Sequence, residues 1–246
     1  MNADPEAQRR LLDLAEVDAE LARVAHRRRT LPELTEVEQA EHDLRSGRDA
    51  VVTAETAAGD LDRDVRRLEG EIDQVRAREE RDRGLLDSGQ ISSGKQLEDL
   101  QHELATLTRR QSTLEDELLE VMEQREGTGA ELDRSRAALA ETEQRLADAT
   151  RRRDEALADL DTTEARRAED RSGLLPELPQ DLLKLYERIR EHKGTGAALL
   201  RQRRCGACRL ELDRSAIAQA RDAPPETVQR CEECGVVLVR TAESGL

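Results

Sequence analysis

Aromatic residues are nearly missing from this chain. It has no Phe and no Trp, and Tyr186 is its one aromatic residue. Aromatic side chains normally supply much of the buried area of a globular core, about 150–250 Å² each, so a large compact core is excluded. Burial must come from Leu, Val, Ile and Ala in a narrow seam. A chain rich in Ala, Glu, Leu and Arg is typical of long helices and coiled coils.

Long apolar runs and a secretion signal are also lacking. No stretch approaches the roughly 20 apolar residues that span a bilayer, and the N-terminus, MNADPEAQRR, is polar. We therefore expect a cytoplasmic protein with no membrane partner. In that reducing compartment, four cysteines are expected to bind a metal rather than to form disulfides.

Charge, by contrast, is abundant and unevenly distributed. Charged residues make up 39% of the chain, and the formal net charge is −15. Residues 1–172 carry 28 Lys+Arg and 44 Asp+Glu, whereas residues 173–246 carry 12 and 11. The first part should repel nucleic acid and anionic membranes, so any contact with phosphate would have to come from the second part.

Hydrophobic periodicity decides between a coiled coil and a disordered chain, since high charge without aromatics fits both. Apolar residues recur with strict 3-4 spacing through residues 37–75 and again through residues 97–163. This spacing is the pattern of a left-handed coiled-coil seam. In the second run the d positions change from Leu to Thr, Ser and Ala, so the tightest packing is expected near residues 97–121.

Two interruptions divide the helical part. Pro32 is tolerated in the first turn of a helix, and Thr30 to Glu33 fits a capping box, so we expect a bend near residues 30–32 and a new helix from Thr30. Residues 84–96 contain three glycines and three serines, which break a helix. The loop is short and the segments beside it have similar lengths. This predicts an antiparallel hairpin within one chain, with a tip loop at about residues 85–94.

The expected fold class is mainly α: a long antiparallel coiled-coil hairpin with a small C-terminal zinc ribbon of short β-strands. The predicted domains are the hairpin at 1–172, a connecting helix at 173–200 and a C4 zinc ribbon at 201–246. A monomer is expected, and a dimer is left open.

The four cysteines form two C-x2-C pairs separated by 22 residues, close to a known zinc signature. The predicted ligands are Cys205, Cys208, Cys231 and Cys234. A structural zinc ion takes four ligands in a tetrahedron, and four cysteines leave no open position for catalysis, so one structural Zn²⁺ is predicted. The alternatives are a redox dithiol, which normally lies in a βαβ context, and free or disulfide-bonded cysteines.

The whole chain resembles a bacterial family with a long coiled-coil hairpin followed by a C4-type zinc ribbon, the chlamydial and Helicobacter-type zinc-ribbon adaptor proteins and their actinobacterial relatives. Three blocks carry the resemblance: SSGKQLEDLQHEL with RRQSTLEDELLEVME, then LLKLYERIREHKGTGAALL, and the cysteine set ending in CEECGVVLVR. The resemblance implies a non-enzymatic adaptor. Some members are linked to an alternative sigma factor of RNA polymerase, to flagellar or type III secretion systems, and to RNA binding.

Two function classes follow. The first is a zinc-binding adaptor that presents its ribbon and hairpin tip to protein partners in transcription or secretion-related regulation, with Ile91 and Lys95 as candidate tip contacts. Neither a phosphate-binding loop nor a catalytic set is present in the sequence, so an enzyme with a small-molecule substrate is not expected.

The second class is RNA or DNA binding through the basic side of the ribbon. The candidate contacts are Arg201, Arg203, Arg204, Arg209 and Arg214. The chain has no aromatic platform on which single-stranded bases would stack. Where the family often has Pro and Arg, this chain has Glu232 and Val236, which removes positive charge from the second cysteine pair. The alternative role for the arginines is a solvated surface, or one that docks on the acidic hairpin.

Overall fold

The structure is a computed structural model that describes residues 1–89, 91 and 93–246. Its helices are α1 (Pro5–Arg29), α2 (Pro32–Asp87), α3 (Gly94–Leu174), α4 (Gln180–Lys193) and α5 (Arg214–Asp222). Its strands are β1 (Ala197–Arg201), β2 (Arg204–Cys205), β3 (Gln229–Arg230) and β4 (Val237–Val239). Two short 3₁₀ helices cover Leu175–Glu177 and Ala242–Ser244. The predicted mainly α hairpin with a small C-terminal strand region is confirmed.

The chain divides into two compact units. The hairpin unit contains residues 35–150, and the terminal unit contains residues 1–34 together with residues 151–246. The acidic charge is concentrated in the hairpin unit, which carries 16 Lys+Arg and 30 Asp+Glu, whereas the terminal unit carries 24 and 25. Only the terminal unit is therefore close to neutral.

The hairpin unit has the seam that the periodicity predicted. Every apolar-stripe position from Val37 to Val75 is buried or half-buried. Packing is tightest where Leu68 and Ile72 of α2 meet Leu114 of α3, which is 1% exposed. At the start of α3 the seam is open, because Leu97 is 40% exposed. The tight region therefore lies within the predicted range but excludes its first turns.

Ion pairs across the hairpin fix which residues face each other. Arg76 contacts Glu115 at 2.6 Å, and Arg136 contacts Glu55 at 2.7 Å. These side chains are exposed, and exposed pairs stabilise by only about 0–1 kcal/mol each. The stability of this unit therefore comes from the seam, while the ion pairs help to set the antiparallel register.

The helix is interrupted between Arg29 and Pro32, close to the predicted position, but Thr30 does not begin the second helix as predicted. The Thr30 hydroxyl donates to the carbonyl of His26 at 3.0 Å, and its backbone N–H also bonds within the last turn of α1. Thr30 therefore closes α1, and α2 begins at Pro32. The capping-box prediction was wrong because the same side chain satisfies the end of the preceding helix.

The boundaries predicted for the connecting helix also need correction. α3 continues to Leu174, and α4 covers only Gln180–Lys193. Gly194 ends α4 with φ +81°, a conformation that favours glycine. Residues 197–201 then form β1, so the sheet begins before residue 201. A side chain at Gly196 would lie 2.5 Å from the Tyr186 ring, so this turn packs directly against α4.

The small sheet has the order β2-β1-β4-β3, with β1 and β4 parallel and the outer pairs antiparallel. It shares one hydrophobic core with α1 and α4, including Leu11, Leu14, Tyr186, Leu200 and Val237. The first residues of the chain also join this region. The N–H of Ala3 donates to the carbonyl of Glu226 at 2.8 Å, and that of Val228 donates to Met1 at 3.1 Å. The ribbon is therefore built into the terminal unit and does not fold around the cysteines alone.

Candidate metal centre

The four cysteines come together as predicted. Cys205 closes β2, Cys231 follows β3, and the remaining two lie in the turns that come after them. The Sγ atoms of Cys205 and Cys234 are 3.7 Å apart, and those of Cys208 and Cys231 are 3.8 Å apart. All four ligand atoms lie within 4.8 Å of one another. With metal–sulfur bonds of about 2.3 Å, a tetrahedral zinc site has sulfur–sulfur distances of about 3.8 Å, so the cluster fits such an ion.

Each cysteine pair lies in a turn of the same construction. The N–H of Arg209 donates to the carbonyl of Cys205 at 2.8 Å, and the N–H of Gly235 donates to Cys231 at 2.9 Å. The N–H of Cys205 in turn donates to Leu210, and that of Cys231 donates to Val236, at 3.0 and 2.9 Å. These two turns are here called the knuckles, and the same pattern of backbone hydrogen bonds closes both of them. In the second knuckle, Arg230 Nε also donates to the carbonyl of Gly235 at 3.0 Å.

Gly206 explains why the first knuckle needs a small residue. A Cβ at this position would lie 2.8 Å from the carbonyl oxygen of Leu199, to which the Gly206 N–H donates at 2.9 Å. The knuckle therefore sits directly on β1, and a larger side chain would push the two apart.

The knuckles differ at the residue after the second cysteine. Gly235 has φ +78°, and Arg209 holds the same place in the first knuckle with φ +64°. An L-residue in this conformation costs roughly 1 kcal/mol that glycine avoids. Arg209, predicted from sequence as a contact residue, is thus also a strained turn residue.

Arg209→Gly should stabilise the protein by about 0.5–1 kcal/mol, because it removes this strain from the folded state. The melting temperature should rise by about 2 °C with unchanged metal content. Gly235→Ala is the matched reverse change and should lower it, since a Cβ there is strained and lies 3.2 Å from Arg230. A fall in stability for Arg209→Gly would contradict this account.

The surroundings shift the pKa values of Cys205, Cys208 and Cys234 in different directions. Desolvation raises the pKa of Cys205 to about 12 and also raises the pKa of Cys234. The backbone N–H of Leu210 lowers the pKa of the more accessible Cys208. Without a metal, a buried thiol such as Cys205 is therefore held neutral, and binding a cation is what makes its thiolate favourable.

The five arginines predicted as nucleic-acid contacts differ in their surroundings, and three of them already have partners within the protein. Arg201 and Arg204 face each other across β1 and β2. Arg201 contacts Glu243 at 3.2 Å, and Arg204 contacts Glu211 at 3.8 Å. Arg203 donates to the carbonyl of Gly245 at 3.0 Å. Arg214 opens α5 and is exposed.

At the hairpin tip, Ile91 is half-buried and Lys95 is exposed in the first turn of α3. Leu85 is also exposed at the end of α2. Within the predicted tip loop at 85–94, Gln90 and Ser92 lie outside the described residues.

A buried ionic cluster in the terminal unit was missed from the sequence. We use this name for Asp18 of α1, Arg171 of α3, and Tyr186, Glu187 and Arg190 of α4. Asp18 is 4% exposed and accepts hydrogen bonds from the Tyr186 hydroxyl at 2.7 Å, Arg171 Nε at 2.7 Å and Arg190 Nη1 at 2.9 Å. Glu187 accepts from both arginines.

The cluster joins three helices through one carboxylate. Burial raises the pKa of the Tyr186 hydroxyl, and its bond to Asp18 raises it further. Burial alone would lower the pKa of Arg171, but its hydrogen bond with Asp18 and the charge of that carboxylate outweigh this effect and raise it. The only sequence signal was an acidic residue beside the apolar stripe of α1, which does not distinguish a buried carboxylate from an exposed one.

The hairpin and the cysteine cluster define a class of protein, a coiled-coil hairpin with a C-terminal cluster of four cysteines that could hold a metal ion. Residues 14–194 match the family described as the CT398-like coiled coil hairpin domain. The chain belongs to this family.

Relatives match over nearly the full length. The uncharacterized protein Rv2229c of Mycobacterium tuberculosis is 45% identical over 240 residues, covering 98% of each chain. The uncharacterized protein ML1638 of Mycobacterium leprae is 35% identical over 224 residues, covering 91% of this chain and 96% of its own.

Solved structures share the fold. A protein from Mycobacterium smegmatis has a TM-score of 0.85 at 42% identity, covering 98% of this chain and 100% of its own. CT398 from Chlamydia trachomatis has a TM-score of 0.68 at 17% identity, covering 96% and 98%. HP0958 from Helicobacter pylori has a TM-score of 0.51 at 15% identity, covering 98% and 99%. At these lower identities the likeness concerns the fold alone.

Among the described residues, no helix combines the length and the apolar character that a membrane-spanning segment requires.

Proposed function

We propose that this protein is a non-enzymatic adaptor in which one structural Zn²⁺ shapes the C-terminal ribbon and the hairpin tip offers a second contact surface to protein partners. The observation that carries this proposal is the closed cysteine cluster. Four sulfur ligands supply the full tetrahedral set of a structural zinc ion and leave no position for a substrate. Cys205 and Cys231 also lie in the same core as α1 and α4, so the metal would hold that core in shape.

The adaptor proposal is tested by affinity capture from cells of the source organism with the full chain as bait. Bait in which Lys95→Glu and Ile91→Asp are combined tests the tip, and bait with Cys231→Ser tests the ribbon. We expect a specific protein to be captured by the wild type and lost with at least one of these variants. Capture of no specific protein by the intact chain would overturn the proposal.

Ile91→Asp alone should weaken capture of a tip-bound partner at least tenfold while changing the melting temperature by less than about 2 °C. The reason is that a half-buried residue in a short loop carries little of the seam's packing energy. Thermal unfolding and a binding titration with the captured partner measure the two effects. Glu98→Gln, at an exposed position on α3 beyond the tip loop, is the control. A large loss of stability would instead assign Ile91 to packing across the hairpin end.

Nucleic-acid binding through the ribbon is the second candidate, favoured by the exposed side chains of Arg209 and Arg214, for which the described structure contains no carboxylate partner. The nearly neutral terminal unit would not repel phosphates as the hairpin unit does. A titration with short RNA and DNA at rising salt tests it, because phosphate contacts weaken steeply with salt. Absence of binding at about 50 mM salt would reject this function.

A further inference from the structure

A groove of about 1220 Å³ lies in the terminal unit between α1, the end of α3 and α4. Its apolar walls come from Leu21, Ala22 and Ala25 of α1, Ala168 of α3 and Leu183 of α4. The three alanines are exposed and the two leucines are half-buried. Because alanine leaves little bulk above the backbone, another helix can approach these walls at the short axial distances, about 8–10 Å, found between packed helices.

Most acidic groups on the rim of this groove are already neutralised. Asp18 and Glu187 belong to the buried ionic cluster, where two arginines bind them. Glu164 contacts Arg28 at 2.7 Å. These carboxylates should therefore attract a further cation only weakly.

Two basic side chains on the rim differ from these carboxylates, because the described structure shows no ion pair for them. Lys184 and Arg188 are exposed and lie one turn apart on α4. In the described part of the chain, neither cation has a carboxylate within ion-pair distance. Glu191 is the one carboxylate on the rim that has no cation within that distance among the described residues. The rim charges that can pair with a partner are therefore Lys184, Arg188 and Glu191, which lie beside the apolar walls.

We propose that this groove binds an amphipathic α-helix of a partner protein, with the apolar stripe of that helix on the alanine walls and its carboxylates toward Lys184 and Arg188. A groove between helices and an apolar stripe on an incoming helix form a common recognition mode. The terminal unit, with 24 basic and 25 acidic residues, does not repel such an acidic helix. The groove uses neither the tip nor the ribbon, so this proposal goes beyond the adaptor function proposed above.

The test uses the full-length protein and two synthetic peptides of about 16 residues, long enough for about four helical turns. Both carry leucines at i, i+3, i+4 and i+7 spacing, and their remaining positions are mainly glutamate in one and lysine in the other. Fluorescence anisotropy should show the glutamate peptide binding at least tenfold more tightly than the lysine peptide. Combined Lys184→Glu and Arg188→Glu should remove that preference.

Ala22→Arg should also weaken binding at least tenfold, by filling the groove at an exposed position where arginine is a good helix former. Lys193→Glu, on α4 but outside the groove, is the matched control and should leave binding unchanged. Circular dichroism of each variant checks that the helices are intact. Equal binding of both peptides, binding of neither, or no effect of the groove variants would overturn the proposal.

Analytical ultracentrifugation tests whether the groove is instead occupied by a second copy of this chain. If the wild type is a dimer that Ala22→Arg converts to a monomer, the groove holds a second copy of this chain and the partner-helix proposal is wrong. The adaptor function fails separately, in the capture experiment with the tip and ribbon variants.

Discussion

Cys231→Ser is expected to abolish stoichiometric zinc binding and to destabilise the terminal unit more than an ordinary point substitution, which costs about 0.5–3 kcal/mol. Structural zinc contributes about 10–16 kcal/mol of folding free energy in small zinc peptides. Here the loss should be smaller than that, because the sheet also packs on α1 and α4. Cys231 is buried, so the change disturbs this shared core as well as the ligand set.

Elemental analysis and thermal unfolding measure this effect. Hydrogen exchange should become fast in the sheet and remain slow in the hairpin unit, whose seam contains none of the cysteines. Glu232→Ala is the matched control, since Glu232 is an exposed residue of the same knuckle. One zinc ion per chain and an unchanged melting temperature in Cys231→Ser would contradict the predicted ligand set.

The metal centre also predicts how stability depends on pH. In protein from which metal has been removed, Cys205 has a folded pKa of about 12, raised by burial from 9.0. A raised pKa stabilises the fold at pH below the unfolded value, and this contribution is lost as pH rises through the folded value. Chelator-treated protein should therefore lose stability between about pH 9 and pH 12. Metal-loaded protein should instead lose its metal in acid, where protons compete for the thiolates.

Asp18→Asn carries the second large expected effect, a loss of about 1.5–3 kcal/mol, because a buried carboxylate that accepts three hydrogen bonds is replaced by a neutral amide. Arg171 and Arg190 would each lose one of two carboxylate partners and keep Glu187. The Tyr186 hydroxyl would lose a charged acceptor. The size of the asparagine side chain is nearly the same, so the effect isolates charge from packing.

Tyr186 offers a direct measurement, because a chain with no Trp and one Tyr has a single intrinsic fluorophore. Denaturant unfolding followed by tyrosine emission reports on the junction of α1, α3 and α4. Asp13→Asn, at an exposed position on the same helix, should change the free energy of unfolding by less than about 0.5 kcal/mol. An Asp18→Asn protein within that same range would show that the cluster contributes no net stability.

Most of the hairpin and the clustering of the four cysteines were predictable because each depends on local spacing. A stripe with 3-4 spacing buries the same side of a helix wherever its partner helix lies, so Val37 to Val75 could be assigned before the fold was known. Two C-x2-C pairs at this spacing likewise favour a cluster of four sulfur atoms. Thr30 shows the limit of local reasoning, since its hydroxyl had two possible helix ends to satisfy and the sequence pattern does not choose between them.

By itself, then, the sequence determined the helical period, the breaks at Pro32 and near residues 84–96, and the pairing of the four cysteines in two C-x2-C motifs, because these follow from short-range geometry. Only the tertiary structure decided that Ala3 joins the ribbon, that β1 begins before residue 201, and that Asp18 is buried beside Tyr186 and two arginines. Those features depend on contacts between residues far apart in the sequence, 223 positions for Ala3 and Glu226, 40 for Ala197 and Val237, and 168 for Asp18 and Tyr186. No local sequence pattern predicts such a long-range contact, since an acidic residue on a helix has the same sequence environment whether it faces water or a buried tyrosine.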